Sequence, residues 1–122
     1  MASVRYLVRD VDAAVAFYTR RLGFELKQQF GPTMAITRRG DLTLWLAGPG
    51  ASATRPMPDG RKPEPGGWNR FVIEVENLES LVTELRAQGI PFRNEIVAGP
   101  GGRQILCEDP SGNVVELFQR AS

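Results

Sequence analysis

The chain has 122 residues, of which 15 are basic and 14 are acidic, so its net charge is +1. This length fits one domain, and the balanced charge gives no electrostatic footprint for nucleic acid or for a membrane surface. The absence of histidine excludes a serine–histidine–aspartate triad and a histidine-containing metal site, and the single cysteine excludes an internal disulfide. The sequence has no apolar stretch of about 18 residues and no signal-peptide core, so we expect a cytoplasmic protein.

The residues before position 48 predict four strands and one helix. Asp10 can cap a helix at Val11–Leu22, whose apolar side chains recur at helical spacing, and Gly23 suits its end. The predicted strands are Val4–Val8, Phe24–Phe30, Thr33–Arg38 and Leu42–Ala47.

Residues 48–67 form the clearest break in this pattern, because half of them are glycine or proline. Proline lacks a main-chain donor and glycine weakens both helices and strands, so the segment is predicted to be a loop. A loop of this length is either a connector or part of a functional site, and the sequence favours neither interpretation.

After the loop the same order of elements recurs. Asn77 can cap a helix at Leu78–Gln88, which Gly89 ends, and the run from Asp109 to Asn113 is a strong turn signal. The predicted strands of this half are Arg70–Val75, Phe92–Val97, Arg103–Glu108 and Asn113–Gln119.

The two halves match in pattern although few residues are identical. Superimposing them places Asp10 on Asn77 and, with a slightly longer offset for the fourth strands, Trp45 on Glu116. We therefore predict a single α+β domain, 1–122, made of two βαβββ modules at about 1–47 and 68–122. Each module should bury one sheet face under its helix and leave the other face to line a shared cleft.

Two motifs add a specific resemblance. Asp10-Val11-Asp12, Phe17-Tyr18 and Leu22-Gly23-Phe24 together resemble the D-x6-F-Y-x3-L-G-F signature of the vicinal-oxygen-chelate proteins. The run from Glu108 to Leu117 resembles the D-P-x-G-x-x-x-E-L hairpin of the same superfamily. That superfamily includes glyoxalase I, extradiol dioxygenases, fosfomycin-modifying enzymes, epimerases and antibiotic-binding proteins of the bleomycin-resistance type. The resemblance implies the fold, whereas one fold hosts all of these functions.

The resemblance also implies where a metal would be bound. Aligned on the motifs, the four ligand positions of the metal-dependent members fall on Ser3, Trp45, Arg70 and Glu116. Only Glu116 is a good ligand for a divalent metal, and Arg70 introduces a permanent cation. We therefore expect no metal and no other cofactor. The chain then resembles the bleomycin-resistance branch, whose members are homodimers that bind a drug without changing it.

The side chains expected in the cleft suit a flat, partly apolar ligand with a few polar substituents. Strand alternation places Ser3 with Arg5 on one face and Thr43 with Trp45 on one face, while the resemblance sets these faces inward. Trp45 is either a stacking platform for an aromatic ligand or a core tryptophan. Arg70 and Glu116 are predicted to contact each other.

The contact between Arg70 and Glu116 could orient a ligand, or it could replace the metal as a structural ion pair. Four further candidates are less specific. Trp68 could close the rim of the cleft or pin the long loop, and Met57 could contact a ligand from the loop. Phe30 and Met34 could line the cleft or the core.

The sequence leaves three functions open. The first is a metal-independent protein that sequesters a bulky aromatic natural product and so confers antibiotic resistance. The second is a cofactor-independent isomerase, lyase or cyclase with Glu116 or Glu74 as base and Arg70 as electrophile, although an adjacent guanidinium opposes protonation of such a base. A metal-dependent glyoxalase or dioxygenase is the third. Cys107 has no histidine partner and is expected to be a buried thiol rather than a nucleophile.

Overall fold

The computed structural model describes residues 1–122, which divide into two units, each containing a four-stranded sheet and one helix. Unit 1 consists of Met1–Gly66 and Pro110–Asn113, and unit 2 consists of Gly67–Asp109 and Val114–Ser122. None of the helices is long and apolar enough to cross a membrane.

In unit 1 the sheet has the strand order β1-β4-β3-β2, in which β1 is parallel to β4 and the other pairs are antiparallel. The helix begins where the Asp10 carboxylate accepts a hydrogen bond from the Ala13 N–H at 3.1 Å. It ends before Gly23, which has a φ of 73° that other residues rarely adopt. The elements are β1 (Val4–Leu7), α1 (Val11–Arg21), β2 (Glu25–Phe30), β3 (Met34–Arg39) and β4 (Leu42–Ala47).

The core of unit 1 lies between α1 and one face of this sheet. Leu44 and Leu46 of β4 are fully buried, and so is Tyr18 of α1. The Tyr18 ring meets the rings of Phe17 and Phe24 edge-on, at centroid distances of 5.0 and 5.4 Å. Because side chains alternate along a strand, the neighbours of Leu44 and Leu46 project from the opposite face of the sheet.

Unit 2 repeats this arrangement. Its sheet has the order β5-β8-β7-β6, with β5 parallel to β8, and its helix begins where the Asn77 side-chain oxygen accepts from the Ser80 N–H at 3.1 Å. The elements are β5 (Phe71–Glu74), α2 (Leu78–Ala87), β6 (Val97–Gly99), β7 (Gly102–Glu108) and β8 (Val114–Arg120).

The strand registers confirm the predicted duplication. Val4 pairs with Leu44 in unit 1, and Phe71 pairs with Val115 at the corresponding place in unit 2. The next position of the fourth strand is Trp45 in one unit and Glu116 in the other, as the superposition of the halves predicts. The predicted α+β fold of two βαβββ modules is therefore present.

The predicted sixth strand, Phe92–Val97, is wrong. The strand β6 is Val97–Gly99, and in the preceding segment only Phe92 forms an isolated bridge, with Cys107. The ladder with β7 is interrupted by a side chain. The Asn94 side-chain oxygen accepts a hydrogen bond from the Leu106 N–H at 3.0 Å, in the place of a main-chain carbonyl. The segment runs beside β7 without forming a regular ladder.

The predicted loop over residues 48–67 is present and contains one turn of 3₁₀ helix at Ser52–Thr54. Its far end is tied down, since the Gly66 N–H donates to the Asn113 side-chain oxygen at 2.8 Å. The Asn113 amide in turn donates to the Leu7 carbonyl at 2.7 Å. One side chain thus joins the end of β1 to the end of the loop within unit 1.

Candidate functional site

The face of the first sheet that points away from α1 is called the Trp45 face. Trp45 is half-buried, whereas Leu44 and Leu46 on either side of it are fully buried, so its ring lies outside the core under α1. Arg5 pairs with Trp45 across the β1–β4 ladder, and its guanidinium carbon lies 4.8 Å from the centroid of the indole ring. This distance is typical of a cation–π contact.

The Trp45 face includes four other residues that the sequence singled out. Ser3 precedes β1 and, with Arg5 and Trp45, lines a shallow concavity of about 440 Å³. Thr43 is two residues before Trp45 in β4 and therefore shares its face. Phe30 and Met34 are paired across the β2–β3 ladder, and Met34 pairs in turn with Ala47, two residues after Trp45. The registers thus place Phe30 and Met34 on this face rather than in the core under α1.

The corresponding surface of unit 2 is called the Glu116 face. Glu116 is only 8% exposed. Its Oε1 accepts from the Nε of Arg70 at 3.1 Å and lies 3.0 Å from the Nη2 of the same guanidinium. The predicted contact between Arg70 and Glu116 is confirmed. The guanidinium also donates to the Trp68 carbonyl at 3.3 Å, which holds it in place.

A second ion pair lies on the Glu116 face, between Glu74 of β5 and Arg120 of β8. Between the two pairs is the exposed side chain of Val72, which is paired with Glu116 in the β5–β8 ladder. The residues of this surface line a concavity of about 440 Å³: Val72, Glu74, Glu116, Phe118 and Arg120. Arg120 is not among the predicted site residues because the predicted strand ends at Gln119, although strand alternation from Glu116 and Phe118 points to it.

Trp68 and Met57 lie apart from these concavities. The indole ring of Trp68 is under the guanidinium of Arg93, at 4.5 Å from carbon to centroid, although the residue is 66% exposed. Arg93 also donates to the Gly67 carbonyl at 2.6 Å and to Glu108 at 2.8 Å. These contacts favour the interpretation that Trp68 pins the chain at the end of the loop. Met57 begins an exposed turn that its N–H closes on the Arg61 carbonyl at 2.7 Å.

The residues at the four positions implied for a metal do not fit one. Ser3 offers a hydroxyl, Trp45 and Arg70 offer no ligand atom, and Glu116 already accepts from a guanidinium. No group of three or more aspartate, glutamate, cysteine or histidine side chains lies close enough together to hold a metal ion. These residues therefore do not supply the ligands that a metal-assisted reaction step would need.

Cys107 is fully buried on the side of the second sheet that faces α2. Burial raises the pKa of its thiol from an ordinary value of 9.0 to about 12, with the charges of Asp109 and Glu108 adding to the rise. A thiol of this kind stays protonated at neutral pH and is a poor nucleophile. The structure therefore agrees with a structural role.

The sequence matches a known protein family and a known protein. The family model described as the Glyoxalase/Bleomycin resistance protein/Dioxygenase superfamily matches residues 1–117. The chain is 26% identical to the human mitochondrial methylmalonyl-CoA epimerase over 125 aligned residues, which cover 95% of this chain and 71% of that protein.

Solved structures show the same fold. A lactoylglutathione lyase from Agrobacterium tumefaciens superimposes with a TM-score of 0.74 at 23% identity, covering 98% of this chain and 92% of that one. TnmS3, an antibiotic binding protein from Streptomyces sp. CB03234, superimposes with a TM-score of 0.69 at 23% identity, covering 99% of this chain and 97% of that one. Likeness at this level of identity extends to the fold and not to the ligand.

Proposed function

This chain belongs to the Glyoxalase/Bleomycin resistance protein/Dioxygenase superfamily, and from that premise we propose that it is a metal-independent protein that sequesters a bulky aromatic natural product. One observation carries the proposal. The positions implied for the metal ligands hold an indole ring, a guanidinium, a hydroxyl and one ion-paired carboxylate. This set supports non-covalent binding better than it supports metal-assisted chemistry.

The Trp45 face supports the aromatic part of the proposal. A half-buried indole offers a flat surface, and stacking against it contributes about 1 kcal/mol beyond the area it buries. Phe30 and Met34 continue the apolar surface along the neighbouring strands, and the flexible thioether of methionine adapts to ligand shape. A planar ligand of several fused rings fits such a surface.

The Glu116 face supports recognition of polar substituents. Arg70 and Glu116 are held against each other and need no rearrangement to present a cation and a carboxylate side by side. A ligand hydroxyl or carbonyl can add a hydrogen bond to such a fixed pair at little entropic cost. We infer that this surface binds polar groups rather than reacting with them.

Titration of tryptophan fluorescence tests the proposal. The Trp68→Phe variant leaves Trp45 as the only tryptophan, and it is titrated in EDTA against a panel of polycyclic aromatic natural products while wild type is followed by calorimetry. Saturable quenching with the compound recovered unchanged in mass and chromatographic behaviour is the expected result. A requirement for added divalent metal, or a changed compound, contradicts sequestration.

A cofactor-independent isomerase is the second candidate, and its support is the 26% identity to an epimerase together with a carboxylate beside a guanidinium. Glu116 or Glu74 would remove a proton and Arg70 would stabilise the resulting enolate. Both carboxylates are ion-paired, which opposes that use. Incorporation of deuterium from D₂O into the recovered compound, abolished by Glu116→Gln, would establish the enzyme and overturn the first proposal.

The same proposal includes antibiotic resistance and a homodimer. Expression in a sensitive bacterium should raise the inhibitory concentration of the bound compound in proportion to the amount of protein, because protection by binding is stoichiometric. Light scattering should give twice the chain mass of 13.5 kDa. A monomer, or protection that does not follow the protein level, would contradict these parts.

A further inference from the structure

Arg5 differs from the other arginines of the two open faces in having no partner for its N–H groups. On the Glu116 face, Arg70 is paired with Glu116 and Arg120 with Glu74. Arg5 takes part in no ion pair, and its guanidinium contacts the Trp45 ring. Arg5 is exposed on β1, the edge strand of the sheet, and it pairs with Trp45 in the ladder that β1 forms with β4.

The contact with Trp45 leaves the hydrogen-bonding capacity of Arg5 unused. A guanidinium stacks through its planar face, whereas its five N–H donors point outward in the plane of the group. The contact at 4.8 Å from the ring centroid places the guanidinium over the indole, and no oxygen of the protein accepts a hydrogen bond from its donors. A carboxylate arriving in that plane can accept two parallel hydrogen bonds.

The charge balance of the Trp45 face favours an anionic ligand. Arg38 belongs to the same face, since it pairs with Thr43, and its Nε donates to the Gly40 carbonyl rather than to a carboxylate. Glu25 of β2 is the ladder partner of Arg38, but its carboxylate is paired with Lys27. Arg5 and Arg38 thus form no ion pair within the protein, while both arginines of the Glu116 face are paired with a glutamate.

We propose that the Trp45 face binds an aromatic carboxylic acid, with the ring system against Trp45 and the carboxylate paired with the N–H edge of Arg5. This inference rests on the proposed function, because it names the chemical class of the ligand that the same face would bind. The ring supplies contact area and the carboxylate supplies orientation. A neutral aromatic compound of the same shape would gain the contact area but not the ion pair that orients it.

Two probes that differ in one group test the charge requirement. Anthraquinone-2-carboxylate and anthraquinone-2-carboxamide have the same ring system, and their binding to wild type is measured by calorimetry. We expect the carboxylate to bind on the order of tenfold more tightly, as a charge-assisted hydrogen-bonded pair requires. Its affinity should fall as NaCl is raised from low to physiological concentration, while that of the carboxamide should not change.

Three variants locate the effect. Arg5→Gln should reduce binding of the carboxylate to that of the carboxamide, and Arg5→Lys should restore part of the difference because it keeps the charge without the planar fork. Arg20→Gln is the matched control, because it removes one exposed positive charge on α1, on the other side of the same sheet. Circular dichroism of each variant verifies that it is folded.

The possible outcomes separate the two proposals. Equal binding of carboxylate and carboxamide, or an Arg20→Gln effect as large as that of Arg5→Gln, would overturn the anionic ligand and leave aromatic sequestration standing. Binding of neither probe would overturn the aromatic acid. If the wider panel of polycyclic compounds also gave no saturable quenching, sequestration itself would be refuted.

Discussion

The two units use one scaffold and differ on one face of it. On the side that packs against the helix, Leu44 corresponds to Val115 and Leu46 to Leu117, and all four are fully buried. On the open side, equivalent positions hold Trp45 in one unit and Glu116 in the other. Folding constrains the first set, because burial there stabilises each unit by itself. The open side is free to diverge, and its chemistry is where function is found.

The largest effect is expected where the two units are alike. Leu44→Ala removes a fully buried side chain from the core of unit 1 and should lower the free energy of unfolding by about 3 kcal/mol. Val115→Ala, at the equivalent position of unit 2, should lower it by about 2 kcal/mol, because fewer atoms are lost. Urea denaturation measures both. A loss below about 1 kcal/mol at either position would mean that the helix-facing side is not a packed core.

The second-largest effect is expected at the two ion pairs of the Glu116 face. The side chains of Arg70 and Glu116 are 28% and 11% exposed, whereas those of Arg120 and Glu74 are 74% and 55% exposed. Arg70→Met leaves a buried carboxylate without its cation and should destabilise the protein by about 2 kcal/mol. Arg120→Met should change the stability by less than about 1 kcal/mol, since an exposed pair contributes little.

A double variant separates burial from local packing at Glu116. Adding Glu116→Leu to Arg70→Met removes the stranded carboxylate and should recover most of the lost stability. If the double variant is no more stable than Arg70→Met alone, the loss comes from the packing of the arginine stem and not from an unpaired charge.

A smaller effect is expected when the indole ring of the Trp45 face is removed, and it is an effect on ligand binding. Trp45→Ala should weaken binding of anthraquinone-2-carboxamide about tenfold, because it removes the stacking surface without touching a charge. Leu26→Ala is the matched control, since Leu26 is an exposed apolar residue of the same sheet whose ladder partner, Thr37, is buried on the helix side. The affinities are measured by calorimetry. If they are equal for the two variants, the ligand binds at another surface.

The sequence predicts the regular parts of this molecule well because local rules determine them. Asp10 and Asn77 cap the helices as their residue types require, and alternation along β4 and β8 separates the helix-facing positions from those of the open side. The face carrying Phe30 could not be chosen from the sequence, because β2 has a register shift between Leu26 and Gln28 that changes which residues face the core.

The remaining differences depend on side chains that act at a distance along the chain. Asn94 replaces a main-chain carbonyl beside Leu106, so a segment with strand propensity does not become a strand. Arg93 joins Trp68, Gly67 and Glu108, and no periodicity in the sequence indicates that contact. Such contacts are determined by tertiary structure, which propensity and pattern do not describe.

The smallest effect concerns an equivalent pair on the helix-facing side, Thr37 in unit 1 and Cys107 in unit 2, which are paired with Leu44 and Val115. Thr37 donates to the Leu44 carbonyl at 3.0 Å and has no charge at any pH of interest. The pKa of Cys107 is raised to about 12, so above an ordinary value of 9.0 the unfolded chain loses a proton that the folded chain keeps. The free energy of unfolding should therefore fall between pH 9 and 12, by about 1 kcal/mol at pH 10. Cys107→Thr, which gives unit 2 the residue of unit 1, should abolish this part of the alkaline loss, and an unchanged pH profile would mean that the thiol ionises in the folded protein.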